Sequence, residues 1–378
     1  MNNQVAASSL SVTLRSRSYT RGNSQANIPT GSPLHRRPNA HGTIAKTLAA
    51  ICVLGVAARQ PAAIAADKPK TAMSMSFLAS PFFVVLTDLV TKEAKETGLN
   101  WTQTTDAQSD AGKQISDIQA LVNSGVKGLI VVPRDSDAIA PALNFAQTNG
   151  VTVVAVDVGI NTGKAAMTIR ADNVAMAQSA ADEIGQHLNG KGKILELQGD
   201  LLNTSGRERT EGFEQRMKEK YPGIQIIARP TRWEQARAAD ATQTILTATP
   251  DLDAIYMQSD SIMLPGVLSV LQQLGHGAKV GEPKHIFLVS IDGSPFSLEK
   301  IRSKELDAAV SQPLDLYAKY AVSYLQKAMA GEKFSPGPTD HNSRIVANTA
   351  GNLEDLLPAP VATMENVSDP KLWGNQAK

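Results

Sequence analysis

The sequence predicts an α/β protein built as two doubly wound, parallel-sheet lobes. Three observations carry this. Apolar runs of strand length alternate with helical patterns from Met73 onward, the signature of βαβ units. A second series of the same kind starts at Ala165, after the first has ended at Asp157. A polar residue also stands just beyond the carboxyl end of strand after strand: Ser80, Asp157, Ser259, Asp292 and Gln312. Taken singly each is an ordinary cap or turn residue; together they line the edge where open α/β sheets bind ligands.

In chain order, Met73–Phe77 is the first strand. Ser80 then precedes Pro81 at a first helical position, and Phe83, Leu86 and Val90 share one face. Phe82 and Phe83 are neighbours, so only one is expected to face the core fully. Strands follow at Asn100–Thr104, Gly128–Val132 and Val151–Val156, with helices over Lys113–Ser124 and Ala138–Asn149 between them. The second series runs Ala165–Arg170, a helix through Leu188, strand Lys193–Leu197, a helix after Ser205, and strand Ile224–Ala228. It continues with helix Ala236–Thr247, strand Ala254–Met257, a helix carrying Val267 and Leu271, strand His285–Ile291, helix Phe296–Ser303, strand Ala308–Val310 and amphipathic helix Leu314–Ala330. Ser343–Lys378, rich in proline and asparagine, is expected to wrap the surface. The expected organisation is a leader at 1–65, an N-terminal lobe at 70–171 plus about 313–340, and a C-terminal lobe at 172–312 plus part of 341–378.

The stretch Asn203–Phe213 stands out. Ser205, followed three residues later by Glu208, reads as a capping box, and Phe213 and Met217 turn to the sheet. Arg207 falls in the first turn, where the helix dipole disfavours a cation by roughly a few tenths of a kcal/mol. It is therefore either a ligand donor at the sheet edge or a solvated arginine paired with Glu211.

Residues 1–65 hold seven basic side chains and no acidic one; removing those seven from the 37 Lys and Arg leaves 30 against 36 Asp and Glu, about −6 for the remainder. An acidic body argues against nucleic acid as partner. Arg36, Arg37 and Lys46 precede the apolar run Thr47–Ala58, and Ala63–Ala65 forms an A-x-A site. This reads as a secretory signal cleaved after Ala65, too short for a stable span, with an organellar transit peptide as the competing reading. Cys52, the one cysteine, lies in that run, so the exported chain would use no disulfide. No Walker loop, G-x-G-x-x-G or G-x-S-x-G occurs, and the histidines lack metal-ligand spacing, so neither cofactor nor metal is expected. Asp157 and Asp292 are of the residue type that forms a glycosidase pair, but an arginine among them would keep both ionised, so no enzyme is expected.

The ordered landmarks Ser80–Phe83, Val132–Asp137, Val156–Asp157, Ala171–Val174, Leu197–Gly199, Arg207–Phe213, Gln258–Asp260, Ile291–Gly293 and Gln312 give the chain its resemblance. Over nearly all of residues 70–340 it resembles the periplasmic sugar-binding proteins of ABC importers, ribose-binding type. The tail Glu365–Gly374 looks like that group's C-terminal extension. The resemblance implies two lobes joined by a three-strand hinge, a sugar or polyol in the cleft, and delivery to a membrane ABC permease, the protein being a periplasmic monomer. It implies roles for Phe82 and Phe83 on one sugar face, Trp233 on the other, Arg207 as donor, Asp157 and Asp292 as acceptors, and Gln312 at the hinge. The sequence departs from the ribose pattern at Val158 (arginine there), Ser80 and Ser259 (asparagines) and Trp233 (phenylalanine), which argues that ribose is not the preferred ligand. Two other readings share the fold: a regulator of the lactose-repressor type, and a sensor presenting sugar to a chemoreceptor or histidine kinase.

Overall fold

The computed structural model describes residues 68–376. The expected signal and cleavage site lie outside the described residues. Parallel strands buried on both faces are predominantly apolar along their length, and this accounts for the central strands here. In the first half these are β1 (Lys70–Met75), β2 (Asn100–Asp106), β3 (Gly128–Val131), β4 (Thr152–Val156) and β5 (Met167–Ala171). Helices α1 (Pro81–Glu96), α2 (Ala111–Asn123) and α3 (Ala140–Thr148) lie between them. Every residue of β3 and β5 is buried, whereas β2, polar and partly exposed, takes the sheet edge.

The second half holds α4 (Asn173–His187), β6 (Lys191–Gln198), α5 (Thr204–Lys220), β7 (Gly223–Pro230), α6 (Gln235–Ala248), β8 (Ala254–Met257) and α7 (Asp260–Gln273). It continues through β9 (Phe287–Asp292), α8 (Pro295–Arg302), β10 (Ala308–Ser311) and α9 (Leu314–Met329). The tail adds β11 (Gly337–Pro338), β12 (Arg344–Ala347), β13 (Leu353–Leu357), β14 (Val361–Ala362) and α10 (Trp373–Gln376).

The strands form two sheets. One is ordered β11-β12-β13-β5-β4-β3-β1-β2, the other β14-β10-β9-β8-β6-β7. Strands β1 to β5 and β13 pair parallel, as do β6 to β10, so the α/β, doubly wound architecture read from the alternation is borne out. The chain passes between sheets three times: from β5 into α4, which packs on β9 and β10; from β10 into α9, which packs on β3, β4 and β5; and from β13 to β14.

Three local expectations fail. The tail does not merely wrap the surface: β12 and β13 extend the first sheet, β14 caps the edge of the second, and Trp373 is 2% exposed. Its apolar residues Leu357, Val367, Leu372 and Trp373 are buried, which overrides the loop-like composition around them. The capping box also does not form. Asn203 caps α5, its side-chain oxygen accepting from Gly206 N at 2.9 Å. Ser205 and Glu208 are free of that task because both reach toward the first lobe, Ser205 Oγ to the Asp157 carbonyl and Glu208 to Arg170. Phe82 and Phe83 are both buried, one edge-on to Trp373 and the other to Phe77, since the start of α1 is enclosed by both lobes.

Ahead of β9, His285 has both ring nitrogens facing acceptors, the Ala278 carbonyl and Asp307 Oδ2, each at 2.8 Å. Burial alone would lower its pKa, but the Asp307 carboxylate and the carbonyl together raise it. A raised pKa in the folded state means stabilisation that is full below the unfolded value near 6.5 and lost as pH climbs through the folded one. The melting temperature of His285→Gln should therefore fall furthest below wild type at pH 5.5, and the gap should narrow by pH 9. A gap independent of pH would show that the ring is held neutral.

Candidate functional site

At the carboxyl ends of both sets of strands, the lobes enclose a cleft of about 450 Å3, part of it open to solvent. Ser80, Phe82, Phe83, Asp157, Val158, Trp233, Ser259, Asp292 and Gln312 all line it, so nine of the residues singled out in the sequence converge. Arg207 does not. It lies on the exposed side of α5 and donates to the Leu201 carbonyl at 2.9 Å. The arginine of α5 that lines the cleft is Arg209. The signal for it was in the helix period: Arg209 stands four residues before Phe213, hence on the same face, whereas six residues separate Arg207 from Phe213.

Arg209 is positioned from three sides. Nε donates to Asn173 Oδ1 at 2.7 Å, Nη1 to the Gln258 carbonyl at 2.6 Å, and Nη1 lies 3.8 Å from Asp292 Oδ1. Its guanidinium also sits 5.8 Å from the Trp233 ring centroid, within cation–π range.

Asp292 ends β9 with φ 122°, a conformation unusual for a residue with a side chain. Its Oδ2 accepts from Ser259 Oγ at 2.6 Å and from Ser261 Oγ, and its Oδ1 from Gln312 Nε2 at 2.8 Å. Ser259 and Gln312 thus line the cleft while holding Asp292. Behind it, Asp260 accepts from Gly293 N, Ser294 N and Ser290 Oγ. Burial first, and the Asp292 charge second, push the Asp260 carboxyl up to about 7. The Asp292 carbonyl takes a 2.6 Å hydrogen bond from Trp373 Nε1, a contact no local sequence pattern announces.

Asp157, at the end of β4, also has a left-handed backbone, φ 68°. Unlike Asp292 it is not fully met: Oδ1 is buried and has no hydrogen-bond partner. Burial raises its pKa to about 6; Asp292 adds to the rise, while Arg209 and Arg170 oppose it. An unmatched buried acceptor costs about 1–3 kcal/mol, so the geometry favours an arriving donor.

Several contacts join the lobes around this cleft. Thr204 Oγ1 accepts from Gly159 N at 2.8 Å, Ser136 Oγ from Thr204 N at 3.0 Å, and Arg134 pairs with Asp200 at 2.7 Å. Arg170, 1% exposed on β5, is shared between Glu354 of its own sheet and Glu208 of α5. Among the described residues, no group of three His, Cys, Asp or Glu side chains is placed to hold a metal ion, and no helix is long and apolar enough to cross a membrane.

A profile of the periplasmic binding protein domain matches residues 71–333, spanning both lobes and every cleft strand. The chain belongs to the periplasmic binding protein family. The family works outside the cytoplasm. This periplasmic binding protein is 30% identical over 266 residues to the ribose import binding protein of Escherichia coli, covering 70% of this chain and 86% of that one. A solute-binding protein of an ABC transporter from Mycobacterium smegmatis, crystallised with bound glycerol, has TM-score 0.69 at 26% identity, over 80% of this chain and 96% of its own. The Caulobacter myo-inositol binding protein, bound to myo-inositol, has TM-score 0.68 at 26% identity, over 79% of this chain and 95% of that one. These relatives are binding proteins rather than enzymes.

Trp233 owes its seat to Gly199: a Cβ there would lie 2.0 Å from the indole. Gly199→Ala should push the ring out of the cleft. We expect at least tenfold weaker ligand binding in calorimetry, with a melting temperature within a few degrees of wild type. Undiminished affinity would remove Trp233 from the binding surface.

Proposed function

We propose that this periplasmic binding protein captures a neutral monosaccharide or related polyol by closing its lobes and delivers it to the membrane permease of an ABC importer. The observation that carries this is the layering of the cleft. Phe82 and Phe83 on one lobe and Trp233 on the other line it together with Asp157, Arg209 and Asp292. A sugar or polyol has apolar C–H faces and a belt of hydroxyls that donate and accept, which aromatic planes and charged groups match. The unmatched Asp157 Oδ1 supplies an acceptor for one hydroxyl.

Closure follows from contacts that exist only when both lobes are in reach, because a ligand shifts an equilibrium only through its differential contacts. The family supports a site of action outside the cytoplasmic membrane; export through a signal cleaved after Ala65, and action as a monomer, belong to the same proposal. Ribose is not the preferred ligand. Val158 brings an apolar wall where the ribose-binding pattern has a charged donor, Ser80 is shorter than an asparagine, and the Ser259 hydroxyl is committed to Asp292. A deoxysugar or a polyol, with a methyl or reduced carbon toward Val158, fits better.

Tryptophan fluorescence of the protein, titrated with pentoses, hexoses, deoxysugars and polyols, should give one saturable response in the micromolar range. Ribose binding tighter than every deoxysugar and polyol would sink the ligand assignment.

A second expectation concerns pH. The ligand-free cleft holds a proton on Asp157 below about 6, and a hydroxyl donating to the carboxylate must displace it. Affinity should be flat above pH 7 and weaken on acidification below 6, approaching tenfold per unit. Asp157→Asn should bind more weakly at pH 8 and lose that acid limb. Persistence of the limb in this variant would move the titration to another group, Asp260 first.

A further inference from the structure

We propose that Arg134 is a ligand-contacting, specificity-determining residue, whose Nη1 donates to a hydroxyl oxygen of the neutral ligand while its Nη2 holds Asp200 across the cleft. This rests on the sugar- or polyol-binding reading above. Arg134 follows β3 and lines the cleft. Its backbone is pinned: its N–H donates to Gln114 Oε1 at 2.8 Å, and the buried Gln114 in turn donates to the Val132 carbonyl at 2.8 Å. Its side chain is nearly spoken for. Nε donates to the Ser109 carbonyl at 3.1 Å and Nη2 to Asp200 Oδ2 at 2.7 Å. Asp200 is itself fixed, its Oδ1 accepting from Leu202 N at 3.0 Å. That leaves Nη1, buried and with no hydrogen-bond partner.

A buried guanidinium nitrogen with an idle N–H is costly unless something fills it, and here the half-buried side chain it belongs to lines the cleft. A ligand oxygen meets that need. The charge balance says which kind of oxygen. Arg134 and Arg209 already face Asp157, Asp200 and Asp292, so a carboxylate ligand would add an anion where acids outnumber bases. A hydroxyl brings an acceptor without a charge. Since the same guanidinium spans the lobes, its ligand contact and its grip on Asp200 form together, which couples recognition to closure.

The test takes whichever of xylitol, myo-inositol, ribose and 2-deoxyribose binds wild type most tightly, together with its single-deoxy analogues and the corresponding sugar acid, by calorimetry. Arg134→Gln should weaken the parent compound by about 10- to 100-fold. One deoxy analogue should lose in this variant only the smaller factor that comes from breaking the tie to Asp200, because it lacks the hydroxyl that Nη1 serves. Arg134→Lys, which keeps the charge for Asp200 but not the fork of donors, should retain the wild-type melting temperature and still lose affinity for the parent. Asp200→Asn should weaken all analogues by one smaller, common factor. Equal losses in Arg134→Gln and Asp200→Asn, uniform across the analogues, would reduce Arg134 to a tie between lobes and overturn the assignment. So would a sugar acid that binds more tightly than its neutral parent. Silence of wild type across the panel would instead overturn the sugar or polyol reading, and this assignment with it.

Discussion

A carboxylate taken out of water is tolerated only where donors replace the water, and Asp292 is the place where this chain meets that condition. Its donors come from residues far apart in sequence: Ser259 and Ser261 at the start of α7, Gln312 beyond β10, and Trp373, which reaches its carbonyl from the tail. Arg209 on α5 stands close by. These partners meet only if β8, β9 and β10 lie side by side in that order. The strand order of the second sheet and the solvation of one buried carboxylate are thus the same requirement. Asp157, in the other lobe, is the complement: a carboxylate left short of donors, next to one that has them all.

The connection between cleft and hinge is equally short. Tyr317, at the start of α9, donates to Gln312 Oε1 at 2.8 Å and accepts from Ala171 N at 2.6 Å. Ala171 ends the strand at the first passage between sheets, and Gln312 lies at the second. One phenol therefore ties two of the three passages together, and Gln312 passes that tie on to Asp292. A fully buried hydroxyl with both roles filled is a rigid fixture, so the chain is held at these two passages.

Most of the architecture was legible in the sequence because buried parallel strands favour nearly continuous apolar runs, as in Val151–Val156 and Ile286–Ile291. The polar residues at strand ends were legible for the same topological reason. What escaped was anything decided by distant partners. Arg207 was singled out by its odd place in a helix turn, although the spacing to Phe213 and Met217 points to Arg209. Ser205 looked like a cap, but Asn203, two residues earlier, does that work. Ser259 was found as a site residue, yet its bond to Asp292, 33 residues on, was not. Arg134 sat within a motif and drew no notice because Asp200, 66 residues away, gives it its meaning. The tail was misread because its composition is loop-like while its few apolar residues are the ones that count.

That tail has a consequence for the order of events during synthesis. A polypeptide leaves the ribosome amino end first, and here the segment from Arg344 to Trp373 supplies a central strand of the first sheet, an edge of the second, and the indole that braces Asp292. Until those residues emerge, β5 lacks its neighbour β13 and the turn at Asp292 lacks one of its supports. Neither lobe can be finished before these residues have been made, so the nascent protein stays incompletely folded, and its cleft unassembled, until they emerge.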